Sequence, residues 1–530
     1  MSTDETGQNT GDQNQDRPKR PPLDREPVLP SRAAIANVSG RILDPGTALV
    51  VKGVNARPTA YVGPRLTISK SVDVQEMFGR LQAISEELGW DVDLQDEDPR
   101  TRGLKFGLRQ VEITASTARA TLAPDGWVLL QQVRARYGLE AAVGLGLDHV
   151  IVPSTIDPNP FHTPNPFHTP NPFHTPNPFH TPNPVSGPAS TYGMPGYGGR
   201  QPIAYAGPAP VRAKTLAGRR PVVAMLDTGC GAHSWLDGIV KSNVKLDGFS
   251  IGYDDPTTDP ETFGDLSGPL DGVIDPLAGH GTFIAGLVHQ GCPDADLVSW
   301  RIVPSDGPIV ESEMVIALAQ IAELIRRFRA GEEGGHAVDV LSLSIGYYHE
   351  TPEDLLFDPT LYAILEDMAC NGTLVVCSAG NDATSRPMFP AAFAPWSDGN
   401  GPVSATADCL PVLSVGALNP NGVTDALFSN AGPWVRAHAS GAALLSTMPA
   451  FDGGLQPMAR TTAFDRQRES IDPDDFRGGF AVWSGTSFAA PLFAGKLADQ
   501  LLPRMADGDD TTSAIKRSWD AVEALTDLTP

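Results

Sequence analysis

Three short segments hold side chains of the types that nucleophilic catalysis needs. Ser484-Gly485-Thr486-Ser487-Phe488-Ala489-Ala490-Pro491 sets Ser487 at a predicted helix N-terminus, where aligned amides favour negative charge near its oxygen. Ala489 and Ala490 let that helix lie close to a sheet, and Pro491 in its first turns is expected to cost no essential donor. Gly279-His280-Gly281-Thr282-Phe283-Ile284-Ala285-Gly286 opens a small-residue helix on a histidine, flanked by glycines that admit another backbone. Val222-Val223-Ala224-Met225-Leu226-Asp227-Thr228-Gly229 reads as a buried strand ending in a carboxylate and a turn. A hydroxyl, an imidazole to take its proton and a carboxylate to orient the imidazole are the parts of an acyl-transfer site. The strings differ in specificity. Asp-Thr-Gly also occurs in aspartic proteases and phosphoryl-transfer enzymes and caps ordinary turns, whereas the full serine string has no such everyday reading.

The elements that must position these residues are legible around them. Short apolar runs (Val222 to Leu226, Leu297 to Ile302, Val338 to Ile345, Thr373 to Ser378, Val412 to Val415) alternate with helical patterns (Glu313 to Arg329, Asp358 to Asn371). Unbroken apolar strands separated by helices predict an α/β parallel sheet covered on both faces, with active residues at the carboxyl ends of its strands.

The three segments, in the order Asp, His, Ser on a parallel α/β domain, resemble the subtilases over roughly Arg220 to Leu501. The resemblance implies a subtilisin-like fold and serine endopeptidase activity on extended polypeptide. Ser487 would be the nucleophile, His280 the general base and acid, and Asp227 the group that holds the imidazole. Thr373 to Asn381 is similar to the family strand ending in an oxyanion-hole asparagine, which makes Asn381 a catalytic candidate. Ser344, Ile345 and Gly346 look like the edge that pairs with substrate backbone, and Ser378, Ala379 and Gly380 like the opposite wall of the specificity pocket. Phe389-Pro390-Ala391 resembles the family's aromatic-Pro-Ala turn. The chain departs from the family at His233-Ser234-Trp235-Leu236, and it carries an acidic insert from Asp254 to Asp275. We read His233 as a structural loop residue and the insert as a solvated loop. The chemistry implies no cofactor; a structural calcium ion in the insert is the alternative, with its ligands unassigned.

Upstream, residues 1–42 are polar and Pro-rich and read as a disordered tail. Residues 60–153 give the element order βαββαβ, a smaller α+β ferredoxin-like unit. The resemblance implies a prodomain there, acting as an intramolecular inhibitor whose tail after Val152 enters the active-site groove, although Pro153 and the repeats after it look like poor occupants; a recognition domain permanently tethered by the spacer is the alternative. Residues 154–205 form a linker in which Pro-Phe-His-Thr-Pro-Asn recurs from Pro160, Pro166, Pro172 and Pro178. A polyproline II course would set successive imidazoles about 19 Å apart, too far to share one ion. The peptidase unit is expected over 210–505, and an amphipathic helix within 510–530 packs back on it through Ile515, Trp519, Val522 and Leu525.

The formal net charge of -24 argues against nucleic acid and anionic membrane as partners; the polypeptide substrate is what the resemblance implies. The five cysteines, an odd number without a CxxC pair, read as buried free thiols. No secretory signal is visible in the first forty residues, so the expected location is cytoplasmic, with non-classical export as the alternative. Two other functions use the same features: a peptide ligase or macrocyclase working through the same triad, and an inactive binding scaffold.

Overall fold

The computed structural model describes the chain apart from residues 1–25, 31, 117–121, 154–187, 267–273, 306, 352–358, 452–458, 472–475, 507 and 509. The hexamer repeats therefore lie outside the described residues.

The first unit is built on β2 (Ala60–Ser69), α2 (Val74–Leu88), β3 (Trp90–Leu94), β4 (Leu108–Ala115), α3 (Gly126–Tyr137) and β5 (Leu145–Pro153). Its antiparallel sheet runs β5-β2-β4-β3, the ferredoxin-like order. Helix α2 starts where the Asp73 side chain accepts from the Gln75 and Glu76 amides, and stops at Gly89 in the left-handed region. It buries Met77, Leu81 and Ile84 with Leu66, Ile68, Val111 and Trp127.

The expected tail is shorter than 42 residues. Helix α1 (Arg32–Asn37) and β1 (Gly40–Ile42) precede the sheet, with β1 pairing to β2. Ile35 and Leu43 are buried there, two apolar anchors that the polar composition of the region as a whole concealed. Glu26 also bridges Arg57 and Arg386, at 3.0 and 2.9 Å.

The second unit is a seven-stranded parallel sheet. Its strands are β6 (Val222–Asp227), β7 (Val240–Lys241), β8 (Asp296–Arg301), β10 (Val340–Leu343), β12 (Leu374–Ser378), β13 (Val412–Leu418) and β14 (Ala437–Ser440). Between them, β9 (Ile309–Val310) and β11 (Ile345–Gly346) belong to the junction with the first unit. The order β14-β13-β12-β10-β6-β8-β7 puts β6 inside the sheet. Alternation along β6 sends Val223 and Met225 to one face and Val222, Ala224 and Leu226 to the other. The first face is covered by α4 (His280–Gly291), α7 (Thr486–Leu501) and α8 (Thr511–Leu525), the second by α5 (Glu311–Ala330) and α6 (Pro359–Cys370). Both faces being buried explains why β6 reads as a continuous apolar run.

Two further expectations are revised. The linker ends earlier than residue 205: the Pro188–Gly193 turn is followed by a strand, Gln201–Ile203, which pairs with Phe480–Val482. Arg200 fastens this segment by donating to the carbonyls of Ile274, Asp275, Pro276 and Ala278. The cysteines are not all free thiols. Cys370, the last residue of α6, is bonded to Cys409, which leaves Cys230, Cys292 and Cys377 free. The two partners are 39 residues apart, and only the return of the chain towards β13 brings them together.

Candidate active site

Asp227 ends β6, where the fully buried run Val222 to Leu226 delivers a carboxylate to the carboxyl edge of the sheet. It is 2% exposed. Its Oδ1 accepts from the Thr228 amide at 2.8 Å and faces His280 Nδ1 at 2.6 Å. His280 is the first residue of α4 and is fully buried. Its closeness to the strand depends on the next residue: a Cβ on Gly281 would stand 2.0 Å from the Gly229 carbonyl oxygen. Phe488 and Trp483 wall the imidazole, with ring centroids 5.1 and 5.6 Å away.

Ser487 is the second residue of α7 and is buried. Among the described residues its Oγ and His280 Nε2 both lack a hydrogen-bond partner, so the nucleophile–base bond is not formed here; such bonds are often long before substrate arrives. Pro491 does remove a donor, because its missing N–H would have served the Ser487 carbonyl. Ser344 replaces it: its hydroxyl donates to Ser487 O at 2.9 Å. A residue expected to contact substrate thus also braces the first turn of α7.

Asn381 follows β12. Its Oδ1 accepts from the Thr486 amide and hydroxyl, each at 2.9 Å, which fixes the acceptor end of the side chain against the residue before Ser487. Ser378 closes β12, and the two residues after it are held from the far side: Asn430 donates to Ala379 O at 2.8 Å, and its amide donates to Gly380 O at 2.9 Å. Asn430 carried no motif in the sequence. His233 stacks edge-on to Phe480 and accepts from the Trp235 amide at 3.1 Å, a loop role as expected.

The edge formed by Ile345 and Gly346 is occupied by the chain itself. β5 reaches out of the first unit and pairs antiparallel with β9 through Val150 and Ile151, then with β11 through Val152 and Pro153. Beneath this junction lies a buried charged cluster. His149 Nδ1 meets Glu311 Oε2 at 2.5 Å and its Nε2 meets Glu350 Oε2 at 2.8 Å. Burial opposes charge on this imidazole, but the two carboxylates outweigh it and raise His149 to about 10. Burial lowers the neighbouring His349 to about 4. The same neighbour in sequence, Asp148, accepts from the amide and hydroxyl of Ser312, both at 2.9 Å, and so caps α5 from the other unit. At the rim, Arg100 pairs with Glu313 and Lys105 with Asp367. Among the described residues, His149, His349 and Glu350 form the group with metal-ligating spacing; it lies away from the Asp254–Asp275 insert.

No helix among the described residues is long and apolar enough to cross a membrane. A family model described as the Subtilase family matches residues 218–517. The chain is 27% identical over 296 residues to an intracellular serine protease of Paenibacillus polymyxa, covering 53% of this chain and 66% of that protein. It is 26% identical over 301 residues to mycosin-4 of Mycobacterium tuberculosis, covering 53% and 55%. It is 26% identical over 253 residues to the major intracellular serine protease of Bacillus subtilis, covering 45% and 63%. The chain thus spans a little over half to about two thirds of the length of these relatives. With a match across more than half of its residues, containing Asp227, His280, Asn381 and Ser487, the chain belongs to the subtilase family.

Proposed function

We propose that this subtilase is a serine endopeptidase whose reaction is carried by Ser487, His280, Asp227 and Asn381. The observation that carries the reading is the buried Asp227–His280 pair, with the second imidazole nitrogen and the Ser487 hydroxyl both without partners among the described residues. In this mechanism an extended peptide lies along Ile345–Gly346 and Ser378–Gly380. Ser487 Oγ attacks the scissile carbonyl while His280 Nε2 takes its proton, and Asp227 keeps Nδ1 protonated and stabilises the imidazolium. The oxyanion receives the Asn381 side-chain amide and the Ser487 backbone N–H at the α7 N-terminus. His280 then returns its proton to the leaving amine, and water repeats the cycle on the acyl-enzyme. No cofactor enters these steps.

The N-terminal unit is proposed as an intramolecular inhibitor. The pairing of Val152 and Pro153 with the strand that substrate would use supports this, as does the buried His149 cluster with Glu311 and Glu350 beneath it. A cytoplasmic location is proposed, although the Cys370–Cys409 bond is of a kind rare in reducing compartments.

The test uses wild-type and Ser487→Ala chains. A fluorophosphonate probe should label wild type at Ser487 and leave the variant unlabelled, and wild type alone should cleave a peptide library. Equal labelling of both chains, or none of either once the N-terminal unit has been displaced from Ile345–Gly346, overturns the reading. If both chains also stay full length on storage, the N-terminal unit is a resident regulator and is not removed by the enzyme itself.

A further inference from the structure

One buried acid beside the proposed triad has no part in the mechanism above. Glu261 sits in the acidic insert but is 2% exposed. Its Oε1 accepts from Thr228 Oγ1 at 2.5 Å and the Gly281 amide at 3.0 Å; its Oε2 accepts from the Thr282 amide at 3.3 Å and Thr282 Oγ1 at 2.5 Å. It therefore ties the residue after Asp227 to the helical turn that begins at His280.

Thr228 is the connecting piece. Its hydroxyl has one proton and two carboxylate oxygens in reach, Glu261 Oε1 at 2.5 Å and Asp227 Oδ1 at 3.1 Å, while its oxygen accepts from the Gly281 amide at 2.7 Å. When Glu261 is ionised, that proton belongs to the nearer Glu261, and Asp227 Oδ1 keeps only the Thr228 amide and His280. When Glu261 carries a proton of its own, it can donate to Thr228 Oγ1, and the threonine hydroxyl turns to Asp227.

We propose that Glu261 is a positioning residue for the Asp227–His280 pair, acting through Thr228 to set how many hydrogen bonds Asp227 receives and so how strongly it holds the imidazolium. The proposal rests on the triad reading above. The other ionisable groups around Glu261 are Asp227, His280, Cys230 and Asp259, with Arg301 beyond Asp259 at 3.8 Å. Burial is the main reason that Glu261 is raised to about 7, with Asp259 and Asp227 adding to it and the two threonine hydroxyls opposing. Two effects of the ionised form act in one direction. Its charge favours a protonated imidazole nearby, and by claiming the Thr228 hydroxyl it leaves Asp227 the stronger partner. Glu261→Gln reverses both, since a side-chain amide can donate to Thr228 Oγ1 and release the hydroxyl to Asp227.

The experiment compares full-length Ser487→Ala with Ser487→Ala/Glu261→Gln, following by NMR the low-field proton on the Asp227-bound imidazole nitrogen as pH is varied. The titration midpoint should fall by about half a pH unit or more in the Gln variant, and stay near its starting value in Glu261→Asp, which keeps the charge. With Ser487 intact, kcat per fluorophosphonate-titrated site should fall roughly threefold or more with KM unchanged. Mere bracing would lower Tm and the fraction of active sites while leaving midpoint and kcat per site as in wild type; that result overturns the proposal. If no low-field resonance is lost on His280→Ala, and wild type is not labelled at Ser487, the triad reading falls and this proposal with it.

Discussion

Among the buried histidines that the described residues set against carboxylates, His280 and His149 are finished differently. His280 has one nitrogen on Asp227 and the other without a partner among the described residues. His149 has carboxylates on both nitrogens. An imidazole that donates from both nitrogens is a fixed cation and can act only as an electrostatic rivet. One with a single anchored nitrogen can accept a proton at the other and later give it up. The difference separates a group suited to chemistry from a group suited to joining two units, although burial and partner type are nearly the same.

The largest effect that would break this contrast is at the first site. His280→Ala should lower kcat on the order of 10⁴-fold or more, measured by peptide hydrolysis, because the other triad members act as a unit with it. If His149→Ala does as much under conditions where the N-terminal unit has been displaced, the division of labour is wrong.

At the second site, His149→Ala leaves Glu311 and Glu350 buried without their shared cation. Such breakage costs about 3–5 kcal/mol. In the Ser487→Ala chain it should appear as loss of the cooperative unfolding of the two units, followed by calorimetry, and in a catalytically intact chain as faster labelling of Ser487.

The pH dependence sharpens the contrast further. His149 is raised to about 10 from 6.5, so its contribution to docking is complete below about pH 6.5 and is lost as pH rises towards 10. His349 is lowered to about 4, so its contribution is present above about pH 6.5 and is lost as pH falls towards 4. Docking should therefore be firmest near pH 6.5. In a Tm-against-pH series, His149→Gln should remove the alkaline decline specifically.

The smallest expected effect is at the rim. Arg100 and Glu313 are paired with about a quarter of each side chain exposed, and Arg100→Ala should change docking by about 1 kcal/mol or less, reduced further by salt. A larger effect in the same calorimetric measurement would show that the rim, and not the buried histidine, holds the units together.

Much of this was legible in the sequence, for identifiable reasons. The run Val222 to Leu226 announces a strand buried on both faces, and glycine at 281 announces the close approach that Gly229 makes. The βαββαβ order was readable from apolar periodicity, because each element of the first unit buries its own face. Glu261 was not readable: it stands among Asp254, Asp255 and Asp259, where an acid ordinarily faces water, and only the fold turns it inward. Nor was the cluster around His149, whose partners are 162 and 201 residues away. Ser344 was expected on the substrate edge, and its bond to the Ser487 carbonyl was not readable, because it depends on a proline whose missing N–H creates the need.

The cap on α5 has a consequence in time. Asp148 is synthesised 164 residues before Ser312, whose amide and hydroxyl it receives. At ordinary rates of translation, the interval is roughly ten to thirty seconds, ample for a small antiparallel unit to fold. When the first turn of α5 leaves the ribosome, the oxygen that terminates it is already in position on a finished surface.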